Sequence, residues 1–299
     1  MVKFGGYMEL HFLKTTWSDI IFLKQGNDVA MIDTGFEGQF GSIQEYLNRM
    51  GIQNISFILL THFHKDHYGS ISNLVKNYHV EKVYFKEYSA LDKTTSKGTP
   101  ADHQYRLDEY NKWLKIKKDI EENSTLIPIE NIEKIQFGKY TLELFHTSNS
   151  MREIYDDSNN SASYHKILFN ENQNSLAAFL KVNGVNIFLG GDIQDIESVH
   201  SKANYVNYQI ASKINEEIDI YKVPHHGTIQ CNSEKTLEIY KPKIAIITNG
   251  SEYLETESTI FQDLKKANPN VQILLTEHHS IIFNITETGT ISYQMDESE

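Results

Sequence analysis

The residues best suited to chemistry in this chain lie in segment 62–67, which reads His-Phe-His-Lys-Asp-His. Three imidazoles and one carboxylate so close together suit zinc, manganese or iron, and no thiolate lies nearby. Alternate side chains of an extended chain face the same way, so His62 and His64 are expected to approach one ion together. Asp66 and His67 follow at the expected start of a helix and can turn toward a second ion. The spacing therefore predicts a binuclear metal site.

The elements that position these side chains can be predicted from apolar runs that end in polar residues. The run 57–60, Phe-Ile-Leu-Leu, is short and apolar, as in a buried strand, and the histidines begin where it ends. Segment 29–35 is an apolar strand ending in Asp-Thr-Gly, and segment 185–192 ends in Gly-Gly-Asp. Segment 220–227 ends in Val-Pro-His-His-Gly. Four strands would thus deliver Asp or His side chains at their ends.

In this order and spacing, the four segments resemble those of the metallo-β-lactamase-fold hydrolases. Segment 174–192, followed by Val-Pro-His-His-Gly, resembles the metallo-β-lactamase domain of competence-type DNA-uptake proteins. Segments 82–89 and 174–192 are also similar to the catalytic domain of phosphorylcholine esterase. The resemblance extends over roughly residues 7 to 290 and is poor between 90 and 170. The secretion signal and choline-binding repeats of that esterase are not evident in this sequence.

The resemblance implies an α/β (α+β) fold, a four-layer αββα sandwich. We expect one domain over residues 1–299, with a helical insertion near 90–123 and a polar, Ser- and Asn-rich loop near 147–174. Hydrophobic periodicity predicts helices and strands in two β-rich halves. The predicted helices are 39–50, 68–77, 101–122, 195–216, 232–240 and 256–267. The predicted strands are 7–14, 19–25, 28–33, 57–61, 82–86, 125–129, 134–137, 140–145, 176–182, 185–189, 218–223, 243–248, 271–275, 279–285 and 290–294.

The resemblance also implies two divalent ions, in the first instance Zn²⁺ with Mn²⁺ or Fe²⁺ as alternatives, and a hydroxide held between them as nucleophile. The implied metal ligands are His62, His64, Asp66, His67, Asp192 and His225. The first two bind one ion and the next two bind the other. Asp192 bridges the ions, and His225 completes the second site.

Several further residues are expected to act around these ligands. Asp66 and His226 are the catalytic candidates, with His226 donating to a phosphoryl oxygen or to the leaving alkoxide. Asp33 is expected to hold a metal-bound histidine by its free ring nitrogen. His146 is left out of the ligand set, because its position matches the strand end before the turn that carries a third ligand in other members. Asn174 could contact the substrate or the bridging water, or simply form a turn.

The implied activity is that of a metal-dependent hydrolase, and a phosphoesterase acting on a small or polymer-borne phosphodiester fits the metal pair best. A competence-type nuclease is the first alternative, and a lactonase or thioesterase is the second. A metal-binding module without catalysis is a third. A choline-bearing substrate would need an aromatic cage. The candidates for that cage are Trp113, Tyr155, Tyr164 and Tyr253.

Composition limits the partners and the compartment. The 299 residues, 39% of them hydrophobic, suffice for a full core, and the net charge is −12 from 28 basic and 40 acidic residues. This balance disfavours duplex DNA, which is bound mainly through Lys and Arg, and the lysines at 112–118 are interpreted as solvated surface. Cys231 is the only cysteine, which excludes an internal disulfide. With no apparent signal peptide or membrane span, we expect a cytoplasmic protein.

Overall fold

The computed structural model describes residues 7–86, 100–147, 153–156, 166–169, 171–196 and 204–297. Two β-sheets face each other across one hydrophobic cluster, and helices pack on the outer face of each sheet. The four-layer αββα sandwich that the resemblance implied is therefore confirmed. Whether the chain forms one domain from end to end stays a prediction. No helix among the described residues combines the length and the apolarity that crossing a bilayer requires.

The described strands and helices are numbered here in chain order. The strands are β1 (Met8–Phe12), β2 (Ile20–Gln25), β3 (Asp28–Thr34), β4 (Asn54–Ile55), β5 (Phe57–Leu60), β6 (His79–Val80), β7 (Lys82–Phe85), β8 (Thr125–Pro128), β9 (Lys134–Phe137), β10 (Tyr140–Phe145), β11 (Glu153–Asp156), β12 (Lys166–Phe169), β13 (Ala177–Val182), β14 (Val185–Leu189), β15 (Asp195–Ile196), β16 (Asn204–Tyr205), β17 (Ile220–Lys222), β18 (Ile244–Ile247), β19 (Gln272–Leu275), β20 (Ser280–Ile285) and β21 (Ile291–Asp296). The α-helices are α1 (Phe40–Arg49), α2 (Lys65–Tyr68), α3 (Ile71–Asn77), α4 (Pro100–Asn123), α5 (Val206–Ile214), α6 (Glu234–Tyr240), α7 (Ser251–Glu257) and α8 (Ile260–Ala267). Short 3₁₀ turns cover Glu37–Gln39, Asn172–Asn174 and Pro224–Gly227.

The strand order of the two sheets explains where the polar side chains collect. The first sheet runs β21-β20-β1-β2-β3-β5-β7-β8, and the second runs β19-β18-β17-β14-β13-β10-β9. Strands β3, β5, β7 and β8 are mutually parallel, and so are β14, β17, β18 and β19. Because the carboxyl ends of parallel strands meet at one edge of a sheet, the polar residues that follow β5, β14 and β17 gather there.

Alternating apolar side chains attach each sheet to two layers at once. Along β2, Ile21 and Leu23 lie in the cluster between the sheets, whereas Ile20 and Phe22 pack with the outer helices of the first sheet. A third cluster joins the outer face of the second sheet to helices α5 to α8. Both faces of the central strands are therefore buried, which explains their nearly continuous apolar sequences.

Two of the predicted helices are interrupted. The helix predicted over 68–77 is α2 followed by α3, and the helix predicted over 256–267 is α7 followed by α8. At the first interruption, a Cβ on Gly69 would lie 2.4–2.6 Å from backbone atoms of Gly35, Glu37 and Lys65. Only a glycine allows that close approach. Periodicity within one segment contains no information about a distant backbone, so the sequence did not reveal this contact.

The helix predicted over 195–216 is wrong at 195–196 and 204–205, which form β15 and β16, and is confirmed by α5, while residues 197–203 lie outside the described residues. The Asp195 carboxylate instead accepts hydrogen bonds from the backbone N–H of Tyr208 (2.9 Å) and of Ser233 (2.9 Å), and from the Ser233 and Thr236 hydroxyls. Asp195 also begins the short strand pair of β15 with β16. The polar start of this segment therefore provides a buried carboxylate, Asp195, whose hydrogen bonds join α5 to α6.

Parts of the helical insertion and of the polar loop are described. Helix α4 confirms the helix predicted over 101–122. Within the loop predicted near 147–174, β11 pairs antiparallel with β12, and a 3₁₀ turn covers Asn172–Asn174. Residues 87–99, 148–152, 157–165 and 170 lie outside the described residues.

We predict that Asp195→Ala lowers the free energy of unfolding by about 2–3 kcal/mol, because several buried donors lose their acceptor at once. Urea denaturation followed by circular dichroism measures this. Glu238→Ala, an exposed carboxylate on α6, is the matched control and should change the stability by less than about 0.5 kcal/mol. Equal stability of the two variants would show that the Asp195 contacts do not hold α5 and α6.

Candidate metal centre

The first group of possible metal ligands lies where β5 ends. It consists of His62, His64 and Asp192, whose ligand atoms all lie within 4.8 Å of one another. Nε2 of His62 is 3.0 Å from Nδ1 of His64 and 3.7 Å from Oδ2 of Asp192. His62 and Asp192 are buried and His64 is half-buried, so one side of this three-residue group is accessible.

The second group consists of Asp66, His67, Asp192 and His226. Nε2 of His67 lies 3.1 Å from Oδ2 of Asp192. Nε2 of His226 lies 3.4 Å from Oδ2 of Asp66 and 3.6 Å from Oδ1 of Asp192. Asp192 belongs to both groups, which is the position expected for a bridging carboxylate.

The buried atoms of this four-residue group fit a cation. Nε2 of His67, Nε2 of His226 and Oδ1 of Asp192 are all buried, and none has a hydrogen-bond partner. Buried polar atoms are normally satisfied, and buried carboxylates are costly unless they are paired or coordinate a metal. Imidazole and carboxylate donors are also the ligands that zinc prefers. The residues present therefore suit a divalent ion.

Asp33 fixes the orientation of His67. Its Oδ2 accepts from Nδ1 of His67 at 2.7 Å, and Thr61 donates to the two carboxylate oxygens from its backbone N–H (2.8 Å) and its hydroxyl (2.7 Å). Burial raises the pKa of Asp33, while the charge of His67 opposes that rise. The expected contact between Asp33 and a candidate ligand histidine is confirmed, and it leaves Nε2 of His67 for the centre.

His226 is oriented in the same way by residues that the sequence analysis missed. Its Nδ1 lies 2.9 Å from the hydroxyl of Thr248, which donates to Oδ1 of Asp19 at 2.7 Å. With its proton committed to Asp19, the hydroxyl accepts from Nδ1–H, so Nε2 is the nitrogen of His226 that can offer a lone pair to an ion once its own proton is displaced. Asp19 in turn pairs with the buried Lys222. A lysine within the apolar run 220–223 was the one sequence signal for this network.

A third cluster of possible ligands, Asp19, Asp33 and His67, is already satisfied by donors. Lys222 pairs with Asp19, and Nδ1 of His67 donates to Asp33. Asp19 and Asp33 therefore support the other two groups rather than forming a third site with His67, whose Nε2 belongs to the four-residue group.

The structure places the two adjacent histidines the other way round from the expectation. His226 is buried and its Nε2 belongs to the four-residue group, whereas His225 does not belong to any of the groups found among the described residues. The ring nitrogens of His225 instead contact Asn172 (3.0 Å), Gln194 (3.0 Å) and Thr228 (2.5 Å). The structure thus brings His226, and not His225, to the four-residue group, and His225 is left half-buried beside the centre. Which of the two binds a metal stays a prediction.

Backbone geometry is the reason for this exchange. His225 and His226 have φ values of 48° and 52°, and Gly227 continues the left-handed turn at 73°. Asn249 donates to the carbonyl of His226 (3.0 Å), and Ser258 donates to that of Gly227 (2.7 Å). Non-glycine residues rarely adopt positive φ without such tertiary support, so a strand-like alternation could not predict the two side-chain directions.

The electrostatics of the centre reflect its buried carboxylates. Burial lowers the pKa of His67, but Asp192 and Asp33 outweigh this effect and raise that pKa well above its ordinary value. Burial would also lower the pKa of His226. The charges of Asp192 and Asp19 outweigh burial and raise that pKa to about 10. Without a cation, protons on these two rings balance the carboxylates. A bound divalent ion would have to displace them.

The remaining candidates lie at the periphery or in the core. Nδ2 of Asn174 donates to Oε1 of Glu171, and the Asn174 carbonyl accepts from Lys86, so its observed contacts are structural. His146 donates from Nε2 to the carbonyl of Ile132 at 2.6 Å and does not belong to any group of possible ligands among the described residues. The turn role of Asn174 and the omission of His146 from the ligand set agree with these contacts.

The two choline-cage candidates whose side chains are described, Trp113 and Tyr253, belong to different hydrophobic clusters. Trp113 is buried and stacks on Tyr110, which is a core position. Tyr253 packs edge-on against Trp17, whose ring centroid lies 6.0 Å from that of His226. The side chains of Tyr155 and Tyr164 lie outside the described residues, so a cage stays a prediction.

Comparison with known proteins finds a family model and relatives that match parts of this chain. Residues 18–149 match the family model described as "Metallo-beta-lactamase superfamily". The chain is 23% identical over 259 residues to ComE operon protein 3 of Bacillus subtilis, which covers 83% of this chain and 26% of that protein. It is 34% identical over 65 residues to the uncharacterized protein YobT of B. subtilis, covering 22% of this chain and 28% of YobT. The chain thus spans about a quarter of the length of these relatives.

Solved structures share the fold at low sequence identity. The metallo-beta-lactamase fold protein YhfI from B. subtilis has a TM-score of 0.53 and 9% identity, covering 97% of this chain and all of that chain. Zn(2+)-bound PqqB from Methylobacterium extorquens has a TM-score of 0.52 and 9% identity, covering 95% of this chain and 99% of that chain. These similarities support the architecture rather than a particular activity.

We predict that the protein, purified without chelator and reconstituted with Zn²⁺, binds close to two equivalents of metal per chain. Asp192→Ala should lower the occupancy of both groups, because its carboxylate faces both. Elemental analysis after gel filtration measures the stoichiometry. Asp195→Ala, a buried aspartate outside the groups, is the control for a nonspecific loss. A wild-type value that stays at or below one equivalent would contradict the binuclear centre.

The two adjacent histidines should separate by role. We predict that His226→Ala loses metal from the four-residue group, because a lost ligand opens the coordination shell. His225→Ala should keep near-wild-type metal content and lose activity by about 10²-fold or more, as for a lost proton donor or substrate contact. Each variant is the other's matched control. Metal loss from His225→Ala together with retention in His226→Ala would restore the original assignment.

Proposed function

We propose that the chain is a metal-dependent hydrolase of the metallo-beta-lactamase superfamily and, more specifically, a binuclear phosphoesterase that cleaves phosphodiesters. The observation that carries the binuclear part is the position of Asp192, whose carboxylate faces both ligand groups. The resemblance of segments 82–89 and 174–192 to phosphorylcholine esterase supports the substrate class. Zn²⁺ is the proposed metal, with Mn²⁺ and Fe²⁺ as alternatives.

The two groups divide the work of holding the metals. His62, His64 and Asp192 would hold one ion, and the four-residue group would hold the other. Two such ions supply Lewis acidity, since they activate water near neutral pH and neutralise charge on phosphoryl oxygens. The protein contributes orientation, because Asp33 and Thr248 fix the rings whose Nε2 atoms face inward.

The buried charge of the centre favours an anionic substrate only when metal is bound. Of the four aspartates at or behind the centre, Asp19 and Asp192 lie beside the buried Lys222. Even with protons on His67 and His226, the metal-free centre has no excess positive charge to attract a phosphate. Two divalent ions reverse that balance and create an electropositive site in a chain of net charge −12. A phosphodiester would thus be recognised through the metals rather than through a basic surface, which also disfavours duplex DNA.

His225 is proposed to contact the substrate. It is half-buried beside Asp192, and its backbone N–H donates to the Gly191 carbonyl at 3.0 Å. Asn172 and Gln194 hold its ring from both nitrogens, which fixes the ring without a metal. A fixed imidazole at the edge of the centre can donate a hydrogen bond to a phosphoryl oxygen or to the leaving group.

A nuclease is the second candidate, and one observation favours it. The alignment with ComE operon protein 3 covers 83% of this chain, and segment 220–227 resembles the competence-type domain. Single-stranded DNA could reach such a metal centre without the basic surface that a long duplex needs. The acidic composition of the chain argues against this candidate.

The substrate class can be tested with zinc-reconstituted protein and four substrates: bis-p-nitrophenyl phosphate, p-nitrophenyl phosphorylcholine, single-stranded DNA and a lactone. We predict turnover of at least one phosphodiester chromogen, and its loss after treatment with chelator. Asp192→Ala serves as the inactive control for contaminating activity. Lactone hydrolysis without phosphodiester cleavage would contradict the proposal, and robust DNA degradation at physiological salt would favour the nuclease.

A further inference from the structure

A fully buried lysine lies beneath the metal centre. Lys222 ends strand β17 in the second sheet, and its Nζ donates to the Gly191 carbonyl at 3.0 Å. The same ammonium pairs with Asp19 and lies 3.9 Å from Oδ1 of Asp192. Lys222 therefore holds the backbone immediately before the shared carboxylate.

Its partner, Asp19, lies in the loop between β1 and β2 of the first sheet and contacts the other half of the centre. The Asp19 backbone N–H donates to the carbonyl of Asp66 at 3.2 Å. Its carboxylate lies 3.3 Å from Nδ1 of His226 and 3.9 Å from Nδ1 of His67. Asp19 thus lies next to three members of the four-residue group, Asp66, His67 and His226. Lys222 lies next to the fourth, Asp192.

We propose that the Lys222–Asp19 ion pair is a positioning device that sets the spacing between the two halves of the four-residue group. Asp66 and His67 follow a strand of the first sheet, whereas Asp192 and His226 follow strands of the second sheet. The pair links the two sheets directly beneath these residues. The inference rests on the proposed metal centre, and it assigns a role to two residues that do not themselves face the metal.

Burial makes this link sensitive to the loss of either partner. Both side chains are almost completely inaccessible to solvent, so removing one charge leaves the other uncompensated in a low-dielectric interior. An unpaired Asp19 carboxylate would also compete for the Nδ1 protons of His67 and His226. A buried pair adds little net stability compared with apolar residues of similar size, so a positional role explains its presence better than a stabilising one.

The test is a titration of metal-free protein with Co²⁺ alone, followed by its visible absorption, which reports the ligand geometry. Lys222→Met and Asp19→Asn should weaken Co²⁺ binding at the four-residue group by about 10- to 100-fold and change its spectrum, while the three-residue group keeps its ion. Lys24→Met is the matched control, because it breaks the partly buried Lys24–Glu9 pair at a distant position of the first sheet. That variant should bind Co²⁺ as the wild type does.

The double variant Asp19→Asn/Lys222→Met separates positioning from folding. With both charges removed, its melting temperature should recover toward the wild-type value, while its Co²⁺ affinity stays weak. Wild-type affinity and spectrum in the variants, or an affinity that merely follows the melting temperature, would overturn the inference. If Lys222→Met does not fold, the Co²⁺ affinities of Asp19→Asn and of the double variant test the positioning role. Wild-type protein that binds no Co²⁺ would instead reject the metal centre itself.

Discussion

The rest of this structure depends on carboxylates that are buried between two sheets. Asp192 is fully enclosed, and it faces candidate ligands that follow strands of both sheets. Carboxylates in such a place require balancing charge, which protons on His67 and His226 or divalent ions can provide. This requirement explains why hydrogen bonds and ion pairs hold the outer nitrogens of His67 and His226, while the nitrogens that face Asp192 have no hydrogen-bond partner.

Parallel strands make that arrangement possible. The parallel parts of the two sheets bring the ends of β5, β14 and β17 to one edge, where short loops present Asp and His side chains from a packed core. Hydrogen bonds behind the ligands then fix ring directions, since Asp33 holds His67 and Thr248 holds His226. Rigid orientation of this kind is what allows a metal site to act on a substrate.

Charge connects the centre to its proposed substrate. The chain is acidic overall, and the carboxylates of its site are balanced by protons and Lys222 until cations bind. Recognition of a phosphodiester would therefore be controlled by metal occupancy rather than by surface lysines. This dependence distinguishes the proposed enzyme from proteins that attract nucleic acid through a basic face, and His225 is the side chain that we propose as a substrate contact.

The sequence by itself determined the elements and most of the candidate ligands. His62, His64, Asp66 and His67 are neighbours in the chain, and a continuous apolar run marks the strand β5 that precedes them. The tertiary structure alone decided the positions of Asp19, Lys222 and Thr248, which meet from three separate segments, and the exchange of His225 with His226. Local periodicity reports which face of an element is buried. It cannot report a positive φ, a close backbone approach such as that at Gly69, or a partner some two hundred residues away, because these arise only when the two sheets pack together.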